Sequence, residues 1–441
     1  MVNRYCEEYK TFLNHAKTET ETVREVLNLA RKQGFQDFER KADTVYHPGE
    51  KWIQTIRGKG AVLCVIGRQS LECGCKMTAA HIDSPHLDLK PVPLDENHGI
   101  FYLKTHYYGK IKKYQWTCIP LALHGICADA QGKGHSAVIG ESPQDPVFGI
   151  SDLLPHLSEA QMAKSMEQGI AGEQLQLLAG LAQDGKSVAD LFYESFGWNE
   201  KELLTAEFRA VPSAKARDLG MDRSMILAYG QDDRVCVYGA VRALLDLEEI
   251  PEYTSFVFLA DKEEVGSESS AGMYSAAFLE MLLAIGKSQG ADPGTVMAKA
   301  ECLSADVICA YDPMFPAVTD EKNTAKLGNG MVLVRYTGRG GKKGNSEASA
   351  GFMAKVSDFL DKAQVDWQCG EMGAVDAGGG TTVAKCMAHW GVEVLDVGVC
   401  MLNMHAPMEV TAKRDIWNFY RGIKVFFQDS RRHCCDEILY I

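Results

Sequence analysis

The sequence predicts an α/β protein: a three-layer sandwich around a mixed, largely parallel sheet, interrupted by a smaller β-rich domain. Two observations carry this. Downstream of about residue 222, apolar runs of strand length alternate with amphipathic runs of helical period, the pattern that places helices against the faces of a sheet. From about 92 to 221 the texture changes to tyrosine- and lysine-containing β sequence (FYLKTHYYGKIKKYQW) followed by a polar, helix-like stretch (SEAQMAKSMEQGIAGEQLQLLAGLAQDG). Residues 1–91 and 222–441 therefore read as one discontinuous domain, and 92–221 as its insertion.

In chain order, an amphipathic helix is expected over 5–31, followed by β-like runs over 61–67 and 75–80. The second run leads straight into His81-Ile-Asp83-Ser-Pro85. After the insertion come a helix over 234–247, a strand over 255–260, a helix over 271–285 and a strand over 305–311. A strand over 331–336, helices over 346–363 and 381–390, a strand over 392–402 and a helix over 415–427 complete the pattern. There is no internal repeat and no low-complexity tract.

At 441 residues the chain is long enough to bury a core without disulfides or metal, and its 46% hydrophobic and 24% charged residues exclude disorder as the dominant state. The formal net charge of −13 disfavours a nucleic-acid backbone or an anionic bilayer as the main partner. The N-terminal stretch carries no apolar run of signal-peptide or membrane-span length, so a cytosolic protein is expected. Fourteen scattered cysteines with no CxxC pair fit reduced thiols; the tight pairs Cys73/Cys75 and Cys434/Cys435 read as a strand and a tail.

In open α/β sheets, sites form beyond the carboxyl ends of strands, which directs attention to five places. His81 and Asp83 follow CKMTAA, and Asp232-Asp233 precede RVCVYGAVRALL. Glu263-Glu264 follow SFVFLADK, Asp306 stands in SADVICA, and His405 closes VLDVGVCMLNM. Two histidines and several carboxylates suit a pair of divalent ions such as zinc. Three carboxylate ligands against two dications, with one hydroxide, give a neutral cluster that tolerates burial. Of two adjacent glutamates, one can bind metal while the other takes a proton from the metal-bound water. Each signal alone has a plain reading: a structural HxD, a solvated EE loop, an N-cap aspartate at Asp233, a turn histidine at His405.

The runs HIDSPHLDLKP, GQDDRVCVY, DKEEVGSESS, SADVICAYDP, AGGGTT and LNMHAPME follow one another in the order typical of the M18 aminopeptidases. The resemblance spans nearly the whole chain, and AYGQDDRVC is most similar to the family's bacterial branch. It implies a dinuclear zinc aminopeptidase, with cobalt or manganese as substitutes, whose smaller domain mediates dimer contacts within a dodecamer. It implies that Asp233 bridges the ions, that His405 and Glu264 complete one, and that His81 and Asp306 complete the other. Asp83 would accept a hydrogen bond from His81 and orient it. Glu263 would be the general base that activates the attacking hydroxide and then protonates the leaving amine. The segment ISDLLPH resembles one that sends a histidine into the neighbouring subunit's site, making His156 a candidate stabiliser of the tetrahedral intermediate. Gly378 to Thr382, with Gly379, Gly380 and Thr381 at its centre, is expected to line the substrate pocket, or else to be a packed flexible loop. Departures from the family pattern at Cys309, at Gly380-Thr381-Thr382 and at Met408 put a preference for acidic N-terminal residues in doubt.

Two other classes compete. Gly180-Leu-Ala-Gln-Asp-Gly185-Lys186-Ser187 satisfies a phosphate-loop pattern, with FVFLAD ending at Asp261 as its magnesium strand, which would make the chain a nucleotide hydrolase. EQLQLLA is too polar and helix-prone to be the buried strand that such a loop needs. A non-catalytic assembly protein on a peptidase scaffold would be expected to lack ligands that this chain keeps. Lys104, Lys110, Lys112 and Lys113 with Tyr107, Tyr108 and Tyr114 suggest RNA contact less than a hairpin or subunit contact.

Overall fold

The computed structural model describes residues 1–40, 44–128, 133–183 and 185–431. Among these, nine strands form one mixed sheet whose centre is four parallel neighbours: Ser255–Ala260, Lys76–His81, Glu301–Ala305 and Glu393–Gly398. Ala61–Val65 and Met331–Val334 flank them antiparallel. Strand side chains alternate between faces, and the core divides accordingly. Val257 and Leu259 enter an apolar layer with the helices Val2–His15, Gln231–Leu245, Ala350–Lys362 and Lys413–Gln428. Phe256, Phe258 and Ala260 enter the other, with Glu280–Ser288, Pro293–Ala298 and Ala384–His389. The result is the expected three-layer α/β sandwich.

A second sheet of six antiparallel strands is built from residues 86–212, in the order Gly134–Ile139, Leu121–Ala128, Glu207–Pro212, His86–Asn97, Ile100–Tyr108, Leu177–Leu181. It has its own core around Leu87, Leu103, Trp116, Leu123 and Phe208. A third sheet of five short strands includes the pair Cys400–Leu402 and Glu409–Ala412, which frames the turn bearing His405.

Several expected elements differ in detail. The single helix over 5–31 is two helices, Val2–His15 and Glu19–Lys32, because Thr18 and Glu21 form a reciprocal capping box that starts the second. The strand over 392–402 divides between two sheets, and the strand expected over 305–311 is instead Glu301–Ala305 and a separate two-residue strand, Ile308–Cys309, in the third sheet, so Asp306 stands beyond the end of the first. Gly398 makes this possible: a Cβ there would lie 1.6 Å from the Asp306 carbonyl oxygen. The polar stretch expected to be helical holds two one-turn helices and the strand Leu177–Leu181.

That strand removes one objection to a phosphate loop and supplies better ones. It is an edge strand of the antiparallel sheet, whereas Asp261 follows a strand of the other sheet. Lys186 pairs with Glu194 at 2.8 Å, and Ser187 caps the helix Val188–Phe196 with its side chain. Asp184 and Cys434/Cys435 lie outside the described residues; Cys73 is exposed and Cys75 buried.

The six-stranded sheet is tied to the N-terminal helices through buried His124. Its Nδ1 lies 2.8 Å from Glu21 Oε1 and its Nε2 lies 3.1 Å from Glu141 Oε1. Glu141 also receives Lys17 at 2.7 Å and Lys215. Burial opposes a charge on His124, but the two carboxylates outweigh it and raise its pKa. His124→Ala is expected to cost about 3 kcal/mol, the scale of breaking a buried pair. A raised folded-state pKa means that this contribution is complete below about pH 6.5 and fades as pH rises through the folded value. The gap in urea midpoint between wild type and variant therefore narrows toward alkaline pH; a widening gap contradicts the pairing.

Candidate active site

The carboxyl ends of the parallel strands open into a cavity of about 530 Å³. His81 is the last residue of Lys76–His81, Glu263 and Glu264 form a turn just after Ser255–Ala260, and Asp306 follows Glu301–Ala305. Asp232 comes from the first turn of Gln231–Leu245, and His405 from the third sheet's turn. All six line the cavity.

Asp232 is the centre of the arrangement. Its Oδ1 lies 3.2 Å from His81 Nε2 and its Oδ2 lies 3.2 Å from His405 Nε2. Asp306 Oδ1 stands 3.6 Å from the same His81 nitrogen, and Glu264 Oε2 stands 3.4 Å from His405 Nε2. Two ligand atoms on one tetrahedral zinc, each about 2.0–2.1 Å from the ion, sit about 3.3 Å apart, so these spacings suit two cations flanking Asp232. Among the described residues, Asp232 Oδ1 and Glu264 Oε1 are buried without a hydrogen-bond partner, as expected of atoms whose partner is an ion. Donor type, spacing and these orphaned oxygens fit a pair of zinc ions. Glu263 also groups with His81 and Asp306 within 4.8 Å, close enough to work on the same centre.

Asp232, and not Asp233 as expected from the sequence, is therefore the aspartate that stands between the two imidazoles. Asp233 is fully buried, does not line the cavity, and has both carboxylate oxygens without a hydrogen-bond partner among the described residues. Burial and the nearby Asp306 push its pKa well up, toward the neutral acid. Asp232 (ψ 107°) and Asp233 (φ −114°) have non-helical backbone angles ahead of the regular helix, and only Asp232 faces the cavity.

The other expected residues fall as follows. Asp83 Oδ1 and Oδ2 accept the backbone N–H groups of Glu263 and Glu264, both at 3.2 Å. His81 Nδ1 lies 3.0 Å from the Asp83 carbonyl oxygen and 3.4 Å from its carboxylate, so the main chain is the nearer acceptor. Gly379, Gly380 and Thr381 line the cavity. Gly379 has φ +122°, and a Cβ there would meet the Gly338 carbonyl oxygen at 2.4 Å, so this wall is backbone packed on backbone. His156 sits in the exposed turn Pro155–Leu157 and is not part of its own chain's cavity.

Sequence reasoning missed two further carboxylates. Glu409 accepts the backbone N–H of His405 at 2.8 Å and of Asp232 at 3.0 Å, joining both sides of the centre from behind. Its only sequence signal is its place in MHAPME. Asp396 accepts the Thr382 hydroxyl at 2.6 Å and so fixes the end of the glycine-rich wall.

Burial raises the pKa of several carboxyls of the site. Burial, reinforced by Asp306, Asp83 and Asp232, pushes Glu263 up to about 8 although His81 opposes it; Glu264 and Asp306 also rise. Asp232 moves down despite burial, because His405 and His81 favour its charge. Burial works against a charge on the imidazoles, yet Asp232 heads the carboxylates that hold His81 well above its ordinary value and His405 up to about 10. Such crowding of buried carboxylates is what a bound dication relieves.

Comparison with known proteins identifies the family to which this fold belongs. Residues 12–427 match the family described as aminopeptidase I zinc metalloprotease (M18). A probable M18 family aminopeptidase 1 of Clostridium acetobutylicum is 40% identical over 437 residues, covering 96% of this chain and 94% of the relative. The crystal structure of an M18-family aminopeptidase from Thermotoga maritima superposes with a TM-score of 0.91 at 38% identity, covering 97% of this chain and 96% of that one. The fold is shared as well with the S. cerevisiae mApe1 dodecamer, at 21% identity and a TM-score of 0.77, covering 96% of each chain. The chain belongs to the M18 family of zinc metallo-aminopeptidases.

Proposed function

We propose that this chain is a dinuclear zinc aminopeptidase in which Asp232 bridges the two ions, His81 and Asp306 complete one, and His405 and Glu264 complete the other. The observation that carries this reading is the Asp232 carboxylate, with one oxygen 3.2 Å from each of two separate imidazoles. Zinc, when bound, supplies Lewis acidity, polarising the scissile carbonyl and making water acidic enough to attack near neutral pH.

The chain's own residues do the rest. Glu263 takes the proton of the attacking water and delivers it to the departing amine. Asp83 holds the backbone of Glu263 and Glu264 so that both side chains reach the cavity. The wall from Gly378 to Thr382 offers main-chain groups to an extended substrate. The acidic cavity attracts a free α-amino group, which restricts cleavage to the first residue of a peptide.

Residues 92–221 serve as the subunit-contact block of a homo-oligomer, and His156 works from there in a neighbouring subunit's site. Exposed Leu153, Leu154, Leu157, Met162 and Met166 support this, as does the dodecameric assembly of the yeast relative. No described helix is long and apolar enough to cross a membrane.

A panel of aminoacyl chromogenic substrates, assayed with and without chelator and after zinc add-back, tests the reaction and reads its specificity. Activity is expected to vanish with chelator, return with zinc, and be absent on N-acetylated substrates. Turnover that survives complete metal removal, or equal cleavage of blocked substrates, contradicts the reading.

A further inference from the structure

We propose that Tyr108, carried by the six-stranded sheet, is a positioning residue for the catalytic centre: its hydroxyl fixes the Asp83 carboxylate and, through it, His81 and the Glu263–Glu264 turn. The proposal rests on the metal-centre reading above.

Tyr108 ends the strand Ile100–Tyr108, and its hydroxyl donates to Asp83 Oδ2 at 2.5 Å. The same carboxylate receives the Glu263 and Glu264 N–H groups and stands 3.4 Å from His81 Nδ1. Asp83 is thus a buried junction. It joins the loop that bears the proposed base to the strand that bears a proposed ligand, and Tyr108 is its one described donor from the inserted sheet. The phenol is itself held in place: the His86 ring stacks on it at 4.4 Å with 12° between planes, and the Lys262 ammonium lies 4.7 Å from its centroid. Lys262 immediately precedes Glu263, so the ring and the turn hold each other.

The contact continues along the chain. The Lys110 carbonyl oxygen lies 2.7 Å from His405 Nδ1, and this acceptor leaves Nε2 free to face Asp232. Between them, Gly109 lets the backbone close over the site: a Cβ there would stand 3.3 Å from Pro85 and 3.6 Å from Glu264 Oε2. Three consecutive residues, the last of the strand Ile100–Tyr108 and the two that follow it, therefore lie against the supports of both sides of the centre, and the geometry of the inserted sheet is transmitted to the proposed zinc ligands.

Removing the hydroxyl leaves one lone-pair site of a buried carboxylate unpaired, and the strain falls on the groups that this carboxylate holds. Tyr108→Phe removes only the hydroxyl and keeps the stacked ring, so it separates positioning from packing. In the full-length protein this variant is expected to keep the wild-type melting temperature within a few degrees. Its zinc affinity, read by chelator competition, falls about 10- to 100-fold, the range for losing a partner of a metal ligand. Its kcat falls while KM stays close to wild type. In zinc-free protein, amide hydrogen exchange at Glu263 and Glu264 becomes faster. Tyr107→Phe, altering an exposed neighbour, keeps wild-type values throughout. A Tyr108→Phe protein with wild-type exchange and wild-type zinc affinity, beside a wild type that retains two zinc ions, overturns the role of Tyr108 and leaves the metal centre standing. A wild type that retains no zinc overturns the metal centre and this proposal together.

Discussion

Asp232→Asn is expected to release both zinc ions and to lower kcat/KM by about 10³-fold or more, while Asp233→Asn keeps the metal and most of the activity. The first expectation follows from Asp232 standing between His81 and His405 at 3.2 Å from each. An amide presents one oxygen where the carboxylate presents two, so it cannot serve two ions. The rate loss is that of several kcal/mol of transition-state charge stabilisation, at about 1.4 kcal/mol per tenfold. The second expectation follows from Asp233 being buried away from the cavity with a pKa driven upward. A side chain outside the cavity supplies no atom to the centre, and an amide of the same shape keeps its packing. Elemental analysis of both purified variants decides the matter, and two zinc ions in Asp232→Asn contradict the bridge.

Glu263→Gln is expected to keep the fold and both zinc ions and to lower kcat by about 10²- to 10⁴-fold, the range for a lost general acid–base. The isosteric amide preserves the backbone bond to Asp83, since that contact uses the Glu263 main-chain N–H. Only the ability to take and return a proton disappears. Glu263 also stands within ligand reach of His81 and Asp306, so zinc content is the deciding measurement. A variant that loses one ion identifies Glu263 as a ligand, and wild-type turnover removes it from the reaction altogether.

Much of the scaffold was legible in the sequence because it depends on short-range periodicity. The strand Ser255–Ala260 and the helix Lys413–Gln428 follow from apolar spacing within a few residues. Where reading failed, local signals competed. One helical stripe over 5–31 concealed the capping box of Thr18 and Glu21, which divides it in two. A continuous apolar run over 392–402 concealed the change of sheet that Gly398 permits by letting the chain pass against Asp306.

The residue types of the site were also legible, since acids and histidines past strand ends leave few other chemistries. Which of them meet was not. Asp232 and Asp233 carry the same chemistry one residue apart, and the sequence offers no measure of which faces the cavity. Glu409, Asp396 and Tyr108 act through contacts spanning 177, 14 and 25 residues, invisible to any local pattern. The sequence by itself determined the alternating layers, the types of residue gathered at the site and the glycine-rich wall, because each is encoded in neighbouring residues. Only the tertiary structure decided which aspartate stands between the imidazoles and which distant groups hold it there, because direction and proximity across sheets arise from packing.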